Sequence, residues 1–157
     1  MPQDATLVTI FAGANDVNVI TAALGGGAGA GDQAAYIDQQ VRSFGDSYRA
    51  LVSGIRNTAK SARLVVLNLP NLAGLPFLAG APASQRHAAQ RASVGMTTTV
   101  INPLRAADLA VIDLMCDARL YQPSIYSSDG FHPNDAGYRL MADAFYEALT
   151  RPRGPTP

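Results

Sequence analysis

The chain is short of reactive groups and of charge imbalance: one cysteine, two histidines and no net charge among 157 residues. Cys116, alone, can close no internal disulfide and build no cysteine-based metal site. Twelve Lys and Arg balance twelve Asp and Glu, so the field that would gather nucleic acid or an anionic membrane surface is missing. No apolar run approaches the roughly 18 consecutive residues that suggest a membrane span. No charged segment followed by an apolar one opens the chain, so no signal peptide is read. The expected compartment is cytoplasmic unless a segment ahead of Met1 carries an address, and no cofactor or metal is expected.

What is present is a core: 48% of the residues are apolar, enough for one domain, expected over 1–150. Residues 151–157, with three prolines and a glycine, read as a disordered tail. Leu7 to Phe11, Leu64 to Leu69 and Leu109 to Asp113 are short runs rich in β-branched residues, the pattern of strands buried on both faces. Between the first two, Ile37, Val41, Phe44, Tyr48, Leu51 and Ile55 recur at alternating intervals of four and three, which predicts an amphipathic helix. A second helix is predicted from Ser84 to Leu104, with Gly95, the threonines and Pro103 blurring its ends. A last one carries Tyr138, Met141, Phe145 and Leu149 behind Asn134, a good capping residue. Strands alternating with helices give parallel βαβ units with helices on both sheet faces. The fold class is α/β, three-layered and flavodoxin-like. The tract from Gly25 to Gly31 follows no strand directly and lacks the Lys-Ser or Lys-Thr of a phosphate loop, so it reads as a flexible connection.

Imidazole chemistry must use His87 or His132. His87 sits in a polar helical stretch with no local partner and reads as a solvated side chain. His132 lies in Asp129-Gly130-Phe131-His132-Pro133, just before the last helix. There, Asp129 can accept from one ring nitrogen and leave the other to take a proton from a hydroxyl; the same residues could equally be a turn leading into the helix. Asn15, in Gly13-Ala14-Asn15-Asp16 after the first strand, could donate to an oxyanion in a cleft at the strand ends, or could simply close a turn.

Taken together, the two motifs resemble the SGNH, or GDSL, hydrolase family. Gly13-Ala14-Asn15-Asp16 is similar to its Gly-x-Asn-Asp block, and Asp129 to Pro133 to its Asp-x-x-His-Pro block, continued by Asn134-Asp135-Ala136-Gly137-Tyr138. The resemblance spans nearly the whole chain. It implies a serine hydrolase of ester, thioester or acetyl-sugar linkages, with His132 as general base and then acid, Asp129 orienting it and Asn15 holding the oxyanion. Asp16 would brace the loop and Gly13 would serve the turn.

The family's nucleophile lies in a Gly-Asp-Ser block that ends its first strand, followed by a second block with another oxyanion donor. Neither precedes Leu7 here, and six residues are too few for two βα units. The sheet is therefore expected to lack its first strands, leaving Leu7 to Phe11 as an exposed edge through which the chain would self-associate. Gly45-Asp46-Ser47 spells the signature inside the amphipathic helix, which makes Ser47 a weak nucleophile candidate; Ser127 and Ser128 are weaker. The alternatives are a non-catalytic binding module that keeps the family cleft, and a flavodoxin-like nucleotide binder, disfavoured because one glycine followed by an acid is no phosphate loop. Acyl and alcohol preferences are not legible; the loop from Pro70 to Pro82 is expected to wall the cleft.

Overall fold

The computed structural model describes residues 1–107 and 109–150; the expected tail over 151–157 lies outside them. The element order is β1 (Leu7–Ile10), α1 (Ala14–Gly25), α2 (Gln33–Thr58), β2 (Arg63–Leu67), α3 (Ala83–Met96), β3 (Ala110–Ile112) and α4 (Asp135–Thr150), with single turns of 3-10 helix between them. The sheet is three-stranded and parallel, in the order β1-β2-β3. Leu7 lies beside Arg63, and Val65 beside Ala110. Alternation along β2 divides the core between two faces. Leu64 and Val66 join Ile10 under α1, α2 and α3, whereas Leu67 meets Leu114, Leu120 and the Met141 and Phe145 side of α4. These are the three expected layers.

Helix α1 was not legible as an element. Val17, Ile20 and Leu24, at helical spacing, bury its inner face, but the glycines that follow hide its end. Gly13 starts it at φ 122°, and a Cβ there would meet Leu69 at 3.0 Å and Phe44 at 3.1 Å. Only glycine gives both the positive φ and the clearance for this strand-to-helix turn. Asn15 and Asp16 therefore stand on the first turn of a helix rather than in a loop.

The helix expected from Ser84 to Leu104 is regular only to Met96, passing into a π turn (Thr97–Ile101) and then 3-10 turns. Thr98 and Thr99 donate their hydroxyls back to the carbonyls of Val94 and Gly95, and Pro103 has no N–H to give, so regular pairing loosens there. Strand β1 is the edge strand, as expected, but it is not buried on both faces. Ile10 is buried, but Leu7 is 41% and Phe11 47% exposed. The cause is the placement of α4, which packs on β3 and over Leu67. Arg63 on β2 fixes the far end of α4 by donating to the carbonyls of Ala148 and Leu149. Leu7 and Phe11 belong to neither core cluster among the described residues.

Candidate active site

The carboxyl ends of β1 and β2 open into a cavity of about 410 Å³. Residues 11–16 form one side of it. Pro70, Leu72 and Leu75, from the loop expected to wall the cleft, form another, and Phe131, His132 and Pro133 close it with Tyr138 and Met141 of α4. Asn15 and His132, 117 residues apart in the chain, thus face one cavity.

Two residues before the cavity-lining Pro70 stands a buried polar side chain. Asn68, directly after β2, donates its amide to Asn102 and Asp113, both at 2.9 Å, and accepts from the N–H groups of Leu114 and Met115. All of the Asn68 amide is thereby paired across the ends of β2 and β3 and the segment after α3, the condition under which a buried polar group rigidifies its surroundings. Downstream, the Leu69 N–H donates to the Thr97 hydroxyl and the Asn71 N–H to the Tyr121 hydroxyl. The start of the wall is therefore tied down on either side of Pro70. The only sign of this in the sequence was an asparagine inside an otherwise apolar strand-like run.

The loop before α4 is built around Asp129. Its Oδ2 lies 2.6 Å from His132 Nδ1, while its Oδ1 accepts from the backbone N–H groups of Phe131 and His132 at 2.9 Å each. The His132 hydrogen bond first, and those two N–H groups after it, hold the Asp129 carboxyl down at about 2, so it stays ionised at any ordinary pH. With Nδ1 engaged, Nε2 is the ring nitrogen left to exchange a proton. Asn134 caps α4 by accepting from Ala136 and Gly137, and its amide donates to the carbonyls of Ser124 and Tyr126, which locks the loop to the helix it precedes. Asn15 is exposed at the cavity, and its amide has no hydrogen-bond partner among the described residues.

Ser47 is elsewhere. It is exposed on α2 and lines a separate groove of about 310 Å³ with Ser43, Phe44 and Val19. That groove touches Asn15 and Asp16 but does not include His132. His87 is exposed on α3 and lines neither the cavity nor the groove beside Ser47. Among the described residues, the cavity lining contains no serine, threonine or cysteine; its hydroxyls are the phenols of Tyr126 and Tyr138. The Tyr126 hydroxyl is committed to the carbonyl of Leu120, and burial pushes it up to about 12.

The cavity is thus lined by an imidazole hydrogen-bonded to a carboxylate and by an amide with no hydrogen-bond partner among the described residues. The model of the GDSL-like Lipase/Acylhydrolase family matches the chain over residues 2–140. The chain belongs to this family. Its parallel sheet and four helices are consistent with the SGNH hydrolase fold. No match was found among the curated proteins or among the solved structures. Membership implies an ester substrate. Among the described residues no helix is long and apolar enough to cross a membrane, and no group of three or more His, Cys, Asp or Glu could hold a metal ion.

Proposed function

We propose that this chain is a serine-type acyl hydrolase in which His132, Asp129 and Asn15 form the base and oxyanion half of the site, and that the seryl nucleophile comes from a strand pairing along β1. The observation that carries the reading is the shared cavity of Asn15 and His132, with His132 bound to Asp129. The open edge of β1 supports the second half. A strand added there in parallel ends beside Phe11 and Ala12, at the cavity.

The chemistry follows from the geometry. The serine hydroxyl gives its proton to His132 Nε2 as its oxygen bonds to the ester carbonyl carbon, and the carbonyl electron pair moves onto the oxygen. The Asn15 amide donates to that oxyanion. The pair then returns, the C–O bond to the alcohol breaks, and His132 delivers its proton to the departing alkoxide. Water repeats the sequence on the acyl-enzyme and regenerates the serine. Asp129 stays ionised throughout and stabilises the imidazolium.

The test is intact-mass analysis after incubation with a fluorophosphonate. It is run on the chain alone and on the chain supplied with a peptide strand ending in Gly-Asp-Ser, hereafter the complemented chain. Expected is an adduct on the peptide serine that disappears with His132→Ala, together with p-nitrophenyl ester turnover. No adduct in either sample and no turnover would end the hydrolase reading. Without an added strand the same edge is free to pair with a second copy. Size-exclusion chromatography should then show a concentration-dependent dimer that Phe11→Lys weakens.

A second reading is a module that holds an acyl ligand without cleaving it, favoured by a mostly apolar cavity whose lining has no serine, threonine or cysteine among the described residues. It predicts that a fatty acid binds equally well to the unmutated chain and to His132→Ala, with ester turnover at background in both.

A further inference from the structure

We infer that Phe77 is a positioning residue for His132, acting through the ring of Phe131. The inference rests on the reading of His132 as the base, because a base must be held in one orientation to be of use. The imidazole is 66% exposed and Asp129 49% exposed. A single hydrogen bond between groups so wetted competes with water and leaves the ring other rotamers. Something else has to restrict it.

Three rings stand in series. The Phe131 ring is 5.0 Å from the His132 imidazole at an interplanar angle of 87°, and the Phe77 ring is 4.9 Å from Phe131 at 70°. Both are edge-on arrangements within the range at which aromatic pairs attract. The backbones of the two loops are joined at the same place. The Phe77 N–H donates to the Gly130 carbonyl at 3.2 Å. Gly130 has φ 69°, and a Cβ on it would fall 2.7 Å from Phe77 N and 3.1 Å from Phe77 Cα. Contact this close needs glycine, which fixes the spacing of one loop on the other.

The support behind Phe77 is firm. It lies on a 3-10 turn (Pro76–Leu78) flanked by Leu75 and Leu78, both buried in the main core. The order of mechanical contact is therefore core, Phe77, Phe131, His132. Phe131 and His132 line the cavity, but Phe77 does not. Removing the Phe77 ring deletes no group of the cavity lining and frees the base. A residue of this kind should alter kcat and spare KM.

The chain has two histidines, and the exposed His87 on α3 serves as an internal reference. In proton–nitrogen NMR of the chain as it stands, Phe77→Ala should shift the His132 ring resonances and broaden the Nδ1 proton shared with Asp129, with His87 unchanged. Phe77→Tyr, which keeps the ring, should restore the His132 pattern. Phe77→Leu keeps apolar bulk without the ring, so it decides the matter should Phe77→Ala unfold. His132 signals unmoved in a folded Phe77→Leu protein, or restored as well by Leu as by Tyr, would overturn the inference. In the complemented chain Phe77→Leu should lower kcat on the order of 10-fold to 10²-fold with KM within about twofold. Absence of any turnover in the unmutated complemented chain would count against the hydrolase reading alone, since the NMR comparison needs no catalysis.

Discussion

Two aspartates in this chain reach a cationic or basic partner three residues ahead: Asp46 to Arg49 on α2, and Asp129 to His132 before α4. Both pairs are largely exposed, and each contact is direct. They differ in what fixes the carboxylate. Asp46 stands on a regular helix whose backbone groups pair among themselves, and it holds Arg49 through one oxygen. Asp129 stands in a turn, takes two backbone N–H groups on one oxygen and His132 on the other, and its neighbours are packed against the loop of Phe77. Spacing and exposure alone make a surface ion pair of small energetic weight. Backbone anchoring turns the same spacing into an oriented dyad.

The comparison breaks if the two carboxylates prove interchangeable in effect. In the complemented chain His132→Ala should reduce ester turnover to background. Asp129→Asn should cost on the order of 10³-fold to 10⁴-fold, since an amide keeps the shape of the side chain but not the charge that selects the ring tautomer. Asp46→Asn should leave turnover within about twofold. Asn15→Ala comes next, with a loss on the order of 10²-fold in kcat, the usual weight of one oxyanion donor. Steady-state hydrolysis of one p-nitrophenyl ester across these variants checks all four, and equal rates for Asp129→Asn and Asp46→Asn would dissolve the distinction.

The same contrast explains what could be read from the letters. The parallel α/β layering was legible because β2 is an unbroken apolar run and α2 and α4 carry apolar residues at helical spacing. The Asp129 to Pro133 and Gly13 to Asp16 motifs were legible because their contacts are local: Asp129 meets His132 three residues away, and Gly13 starts its own helix. What was not legible depends on distant partners. Asn68 is paired with residues 34 and 45 positions away. Phe77 meets Gly130 and Phe131 across more than fifty residues. Leu7 and Phe11 have the composition of a doubly buried strand, yet their exposure is set by where α4 lies, which the composition of β1 cannot reveal.

One residue after Ser47, α2 turns inward, and there the expected effects are on stability rather than chemistry. Tyr48 is buried against Phe44, its hydroxyl has no hydrogen-bond partner among the described residues, and burial pushes it up to about 12. The neutral phenol is the form the fold holds. Its contribution is complete below pH of about 10, where an unfolded tyrosine is also protonated. As pH rises from there through about 12 the unfolded chain loses the proton first, and stability falls. Tyr126 adds in the same sense. Thermal melts should therefore drop steeply above pH of about 10. Tyr48→Phe, which removes an unsatisfied buried hydroxyl and keeps the ring, should raise stability at neutral pH by about 1 kcal/mol and shrink the alkaline loss. A lowered melting temperature in that variant would mean that Tyr48 has a partner after all.

The smallest effect belongs to Ser47 itself. The three letters Gly45-Asp46-Ser47 match the family's nucleophile signature, but that signature works by ending a buried strand at the cavity, and here it lies in the middle of a helix of 26 residues. Gly45 is buried against Val100 because α2 crosses the π turn closely there, a packing reason for a glycine that owes nothing to an oxyanion. Ser47 lies in a groove that His132 does not line, so the imidazole and the Ser47 hydroxyl do not share a cavity. Ser47→Ala should leave ester turnover in the complemented chain within about twofold and the fluorophosphonate adduct on the peptide serine. Because alanine favours a helix slightly over serine, it should raise the melting temperature by no more than the equivalent of about 0.5 kcal/mol. An adduct on Ser47, or its loss from the peptide when Ser47 is removed, would move the nucleophile to α2 and require the groove beside it to open onto His132.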